Sequence, residues 1–402
     1  MEAPRQPREP VPGVTGRLAN GVKPTPPLHR DRPRHEDPKV AAAIDELVKL
    51  LPAGGKNSDL AAELITYAMQ LPGDLDRGEL KLVCATIRDF HQSFRVFGAH
   101  RARKKVSIFG SARTAPDTPI YDLCKRFAEA CVAKGYMIIT GAGPGIMRAG
   151  NEGAGREHSF GVNIKLPFEQ EANDMIRGDP KLVNFKYFFT RKLSFVKESD
   201  AIVLFPGGFG TMDEGFESLT LLQTGKCDPL PVILMDLPGG SYWPSWDTYI
   251  RENLLARGLV SSADRNLFRY TTDVDKAIEE IERFYRCYHS LRYVDDYVVI
   301  RLKRRPTAKL IAILNERYRD LLRSGDFEVL SGPHRAERNE PEAVRALPRI
   351  GFHFVQRGFG RLRRMIDEIN LVEQDEPSVV PSGQEPPAGS GALGTNVELD
   401  ED

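Results

Sequence analysis

Between residues 104 and 290 the chain alternates short apolar runs with amphipathic segments of helical length. The runs fall at 106–110, 136–141, 160–164, 182–189, 201–208 and 230–235. The intervening segments, such as 121–135 and 214–226, place apolar residues three and four apart. Strands apolar along their whole length and separated by helices predict a parallel sheet covered on both faces. The fold class expected is therefore α/β, a Rossmann-like doubly wound parallel sheet with helical N- and C-terminal extensions. Ahead of it, 40–51, 60–71 and 79–97 carry helical periodicity and predict a small helical N-terminal subdomain over 39–103. Behind it, 294–325 joins a strand-like run to a basic helix, and 334–364 holds eight arginines. Residues 291–372 are expected to form a basic, mostly helical extension. There is no internal repeat.

The two ends have another character. Residues 1–38 are rich in Pro and Arg and poor in large apolar side chains; 373–402 hold eight acids and no Lys or Arg. Neither can bury enough surface to offset its ordering entropy, so a disordered arm and a disordered acidic tail are expected. A chain of 402 residues has room for about two to three domains. Lys plus Arg and Asp plus Glu both number 56, a net charge of zero. That balance, with Glu and Asp interleaved among the arginines of 301–364, argues against nucleic acid as a partner. The cysteines at 84, 124, 131, 227 and 287 are odd in number and lack CxxC spacing. They read as free thiols in a reducing cytoplasm rather than a disulfide or zinc scaffold. No apolar run approaches the roughly 18 residues of a membrane span, and the first residues lack the apolar segment of a secretory signal.

Three loops carry the candidate chemistry. Each follows an apolar run, so all three are expected at the carboxyl edge of the sheet, where open parallel sheets bind ligands. The first is Gly110-Ser111, a turn that can turn amides and a hydroxyl toward a ligand. The second is Gly141-Ala142-Gly143-Pro144-Gly145, which leads into a helical stretch. It is neither the dinucleotide fingerprint nor a Walker A loop, and a tight structural turn is its alternative reading. The third, Pro206-Gly207-Gly208-Phe209-Gly210-Thr211-Met212-Asp213-Glu214, runs from a buried strand straight into a helix. Its glycines free backbone amides and Thr211 adds a hydroxyl, a cradle for an anion. Asp213 and Glu214 are expected in the first helical turn, close behind that anion, so at least one should face another part of the ligand. Upstream, Thr190-Arg191-Lys192 puts two cations at a helix start, where the dipole disfavours them. That placement points to ligand or carboxylate pairing. The eight His are scattered and there is no H-E-x-x-H, so no metal is expected.

Gly-Ser-Ala-Arg at 110–113, Gly-Ala-Gly-Pro-Gly-Ile-Met at 141–147, Thr-Arg-Lys at 190–192 and the loop at 206–214, in this order, resemble the LOG ("lonely guy") family. Its members are nucleoside 5′-monophosphate phosphoribohydrolases, often mislabelled lysine decarboxylases. Positions 206–214 match the family's Pro-Gly-Gly-x-Gly-Thr-x-x-Glu motif in full, and 191–192 match its Arg-Lys pair. The resemblance covers about 104–290, and the flanks resemble the longer bacterial branch, where general nucleotide nucleosidases also occur. It implies hydrolysis of the N-glycosidic bond of an AMP-like nucleotide, with or without an N6-modified base, to free base and ribose 5-phosphate. It makes Glu214 and Arg191 catalytic. It assigns Lys192, Thr211 and the backbone of Gly207, Gly208 and Gly210 to the 5′-phosphate. Ser111, Gly143, Gly145, Asn163, Asp213 and Thr220 are further candidate substrate contacts. No cofactor is implied, and a homodimer or higher homo-oligomer is. A nucleotide-binding regulator without turnover is the alternative; the presence of both Arg191 and Glu214 favours the enzyme.

Overall fold

The computed structural model describes residues 35–51, 57–165 and 171–372. The expected arm and acidic tail lie outside the described residues, apart from positions 35–38. The chain divides into two compact units, 1–74 and 75–402. In the first, helix α1 (Pro38–Lys49) starts at Asp37, whose carboxylate accepts from the Lys39 amide with Pro38 at the opening position, and pairs with α2 (Ser58–Asp74).

The second unit opens with the 22-residue helix α3 (Arg77–Gly98), begun by a reciprocal Asp76–Glu79 capping box. Then follow β1 (Lys105–Phe109), α4 (Pro119–Ala133), β2 (Met137–Thr140), α5 (Ile146–Ala154), β3 (Ser159–Ile164), β4 (Leu182–Phe185), α6 (Phe188–Glu198), β5 (Ala201–Leu204) and α7 (Phe209–Gln223). The domain continues with β6 (Val232–Met235), α8 (Tyr242–Tyr249), β7 (Arg269–Thr271) and α9 (Val274–Phe284). The seven strands are parallel, in the order β4-β3-β2-β1-β5-β6-β7. Alternate strand residues enter two cores. Val106, Ile108, Ala201 and Val203 pack against α4, α5 and α9; Phe109, Ile202 and Leu204 pack with Phe97 of α3, Phe195 of α6 and Leu222 of α7. Both faces are apolar because both are covered. This is the doubly wound α/β fold. The edge strand β7 is absent from the six runs of the sequence: it is three residues long and partly exposed.

Two expectations are corrected. The helices of 39–103 do not form one subdomain, because α3 packs on α6 and β4 of the sheet domain. The segment after 290 is not mostly helical. It contains β8 (Tyr288–Val294), β9 (Tyr297–Leu302), α10 (Ala308–Arg317), β10 (Leu322–Leu330), the short α11 (Glu342–Arg345), β11 (Arg349–Phe354) and α12 (Phe359–Val372). The strands form an antiparallel sheet, β10-β11-β9-β8, whose apolar face packs with Leu310 and Leu314 of α10 and with Leu362, Met365 and Ile366 of α12. Arginines inside these strands conceal their character: Arg301 and Arg349 are buried, held by Glu337 at 2.6 and 2.8 Å.

Candidate active site

The strand order reverses between β1 and β5, the switch point at which open α/β sheets bind ligands. The loops after β1 and β5 meet there: the Ser111 amide donates to Pro206 O at 3.1 Å. The loop after β2 joins them through the Ile146 amide, which donates to Ser111 O at 3.0 Å. Glycine is required at two of the contacts. Gly145 has φ +65°, and a Cβ there would lie 2.2 Å from Ser111 O. A Cβ on Gly207 would lie 2.1 Å from Thr211 Oγ1 and 3.0 Å from the Ser111 amide. Beneath the second loop, Asn173 donates to Gly143 O at 3.0 Å and to Asn151 Oδ1 at 3.1 Å, and Asn151 Oδ1 accepts from Thr140 at 2.7 Å. On the far side, the Tyr242 hydroxyl donates to Gly207 O at 2.5 Å. Sequence reasoning missed Asn151, Asn173 and Tyr242; they lie in other elements and carry no motif.

Helix α7 begins at Phe209 with Gly208 as its N-cap, and no side chain caps it. Above Gly208 and Gly210 the space is open to at least 4 Å. The amides of the first turn are thus presented to an anion at the positive end of the helix dipole. Thr211 is buried beneath Gly207. Asp213 and Glu214 are not in the first turn, as the sequence reading had them, but in the second. At a rise of about 1.5 Å per residue they stand roughly 6 Å or more along the axis from the helix start, which removes the conflict with an anion seated there.

The two carboxylates face α6. Lys192 Nζ lies 2.8 Å from Asp213, 2.7 Å from Glu217 and 3.7 Å from Glu214. The ammonium assigned to phosphate is held by three carboxylates of α7, with desolvation opposed by these partners and its pKa raised on balance. Asp213 is the exposed member of the group; Glu214 is only 7% exposed. Burial pushes the Glu214 carboxyl up to about 7, against the pull of Lys192 and then Arg191, with Glu217 and Asp213 adding a smaller upward push. Arg191 donates from Nε to Val162 O at 2.9 Å and lies over the Phe195 ring at 5.3 Å. A Cβ on Gly141 would come within 2.5 Å of its Nη2, so the guanidinium lies along the second glycine loop. A buried carboxylate that exchanges a proton near neutrality, beside an uncapped helix N-terminus, can steady a developing cation or take a proton from water.

Two further candidates have hydrogen-bond partners of their own. Asn163 donates to Asn184 Oδ1 at 3.0 Å between β3 and β4. Thr220 is exposed and donates to Phe216 O at 2.7 Å. It lines an apolar groove with Phe216, Trp246 and Phe268, six residues along α7 from Glu214 and so on another side of that helix. Among the described residues no helix is long and apolar enough to cross a membrane.

Residues 144–281 match the family described as "Possible lysine decarboxylase". A probable cytokinin riboside 5′-monophosphate phosphoribohydrolase of rice, Oryza sativa subsp. japonica, is 26% identical over 184 residues, 45% of this chain and 84% of the relative. A cytokinin riboside 5′-monophosphate phosphoribohydrolase of Arabidopsis thaliana is 23% identical over 188 residues, 46% of this chain and 85% of the relative. Among solved structures, the molybdenum cofactor binding protein from the phototrophic bacterium Rippkaea orientalis is similar over 45% of this chain and 96% of that one, at 17% identity and a TM-score of 0.33. With the full motif at 206–214 and the Arg-Lys pair folded against it, the α/β domain is similar to the LOG phosphoribohydrolases over less than half of the chain.

Proposed function

We propose that this protein is a nucleoside 5′-monophosphate phosphoribohydrolase that cleaves the N-glycosidic bond of an AMP-like nucleotide. The carrying observation is Glu214: a buried carboxylate beside Arg191 and Lys192, in the turn after an uncapped glycine-rich helix start. The 5′-phosphate occupies the amides of 207–211, which places the ribose toward the second turn of α7. As the bond from C1′ to the base nitrogen breaks, its electron pair leaves with the base and C1′ becomes oxocarbenium-like. Ionised Glu214 stabilises that charge and accepts the proton of the water that attacks C1′; the base takes a proton from solvent. Arg191 and Lys192 keep the buried carboxylate ionised. The relatives' names support the reaction class and the nucleotide monophosphate. The substrate proposed is AMP itself or an N6-modified form, and the active species a homo-oligomer. Chromatography of free base from a panel of nucleoside monophosphates tests the reading; it fails if none releases base.

The phosphate cradle makes two further predictions. Adenosine should be hydrolysed at least about a hundredfold less efficiently than AMP, because binding energy at the phosphate is used to orient the reacting centre. Equal kcat/KM for the two would remove the phosphate from 207–211. Gly208→Ala should weaken AMP binding about tenfold with no change in Tm. The new Cβ meets no protein atom, so it obstructs only a ligand that approaches the backbone. Calorimetric titration beside a thermal melt checks this, and wild-type affinity would show that the ligand keeps its distance from Gly208.

A further inference from the structure

Helix α6 carries Arg191 and Lys192 in its opening turns, yet it has neither a side-chain cap of its own nor an acid in its first turn. Two cations near the positive end of a dipole are unfavourable. The acid comes from outside the α/β fold. Asp89 of α3, buried to 7% exposure, accepts the Lys186 amide at 3.0 Å and the Thr190 hydroxyl at 2.8 Å, both on Oδ2. One turn on, Ser93 of α3 donates to Ser194 of α6 at 3.1 Å. The buried stripe of α3 is Ala85, Asp89, Ser93 and Phe97, so its two polar members are the two that meet α6. Thr190 is the residue before Arg191. Each residue of slip turns a helix by about 100°, so pinning Thr190 also fixes where Arg191 and Lys192 point.

We infer that Asp89 is a positioning residue: a carboxylate lent by the N-terminal flank that ties the chain entering α6 to its first turn, through the Lys186 amide and the Thr190 hydroxyl, and sets the rotation at which Arg191 reaches Val162 O and Lys192 reaches Glu214. This rests on the hydrolase reading above. It gives α3 a task in the reaction although none of its residues lies in the glycine loops. The chemistry is indirect. Without that tie, the start of α6 is free to shift and the two cations loosen. Glu214 then has only Asp213 and Glu217 as firmly held charged neighbours, and its ionised form is harder to keep.

The test is AMP hydrolysis across pH by the wild type, Asp89→Ala, Asp89→Asn and, should the first fail to fold, Thr190→Val. The Ala and Val variants should lose about tenfold to a hundredfold in kcat, as small misplacements of reacting groups do. Their acidic limb should move to higher pH, which a simple loss of stability would not produce. Asp89→Asn should keep most of the activity, because a single amide oxygen can accept both hydrogen bonds. Wild-type kcat and an unmoved limb in Asp89→Ala or Thr190→Val, even with a lowered Tm, overturn the inference. If the wild type releases no base, the hydrolase reading fails on its own account. Crystal structures of the wild type and Asp89→Ala then decide: Arg191 displaced from Val162 O supports the positioning role, and Arg191 unmoved overturns it.

Discussion

Glu214→Gln is expected to lower base release by about 10²–10³-fold while AMP binding stays near that of the wild type, as when one preorganised stabiliser of transition-state charge is removed. Gln keeps the volume and a hydrogen-bonding oxygen but not the charge. Binding is spared because the anion seat is built from amides one turn earlier. The pH profile carries the same signature. Burial pushes the Glu214 carboxyl up to about 7, and the reaction needs its ionised form. The wild-type kcat/KM should therefore climb as pH rises toward about 7 and level off above it. The nucleotide's own phosphate ionises near pH 6. A limb that survives in the Gln variant belongs to the substrate, and one that disappears belongs to Glu214. Undiminished turnover in the Gln variant would remove Glu214 from the reaction.

The largest expected effect on stability lies far from this site. Glu337 is fully buried and accepts Arg301 Nε at 2.6 Å, Arg349 Nε at 2.8 Å and the His334 amide at 2.8 Å. Glu337→Gln should cost about 3–5 kcal/mol in urea unfolding, because the buried Arg349 loses its carboxylate and Arg301 keeps only Glu340, at 2.9 Å. Replacing all three charges by apolar residues of similar volume should cost far less, since the desolvation penalty disappears with them. Burial raises the Glu337 carboxyl, but Arg301 and Arg349 outweigh it and hold it below the ordinary glutamate value. Its contribution is therefore present above the ordinary range and is lost as pH falls through the depressed value. The Gln variant should show a shallower acid transition. A loss below about 1 kcal/mol, the range of exposed pairs, would mean that the cluster is solvated.

What the sequence disclosed follows the range of the interactions involved. The parallel sheet was legible because strands covered on both faces have few polar positions to obscure them: Ala201 to Leu204 reads as apolar throughout, and Val106 to Phe109 is broken only by Ser107. The third loop was legible because an anion seat at a helix start is built from neighbours in sequence. The antiparallel sheet was not. Arg301 and Arg349 interrupt its strands, and a buried arginine is distinguishable from a solvated one only by its partner, here 36 and 12 positions away. The same holds for Lys192. A cation near a glycine loop reads as a phosphate ligand, and only the fold shows Asp213 and Glu217 beside it. Asp89 lies 101 positions from Thr190 and gave no signal at all.

The aromatic packing behind the third loop has a spectroscopic consequence. The chain has two tryptophans. Trp243 stands edge-on to Tyr242, whose hydroxyl holds Gly207 O, and Trp246 stands edge-on to both Trp243 and Phe268. Both indoles thus belong to one cluster leaning on one loop. Intrinsic emission excited at the red edge of indole absorbance is a local reporter of the 206–211 backbone. It will register a ligand that draws Gly207 forward and be silent to events confined to the antiparallel sheet or to α1 and α2. A melt followed by fluorescence therefore times the loss of the glycine loop's support, whereas circular dichroism averages every helix and strand. The interval between the two curves measures how far the C-terminal sheet and the α/β domain unfold as one.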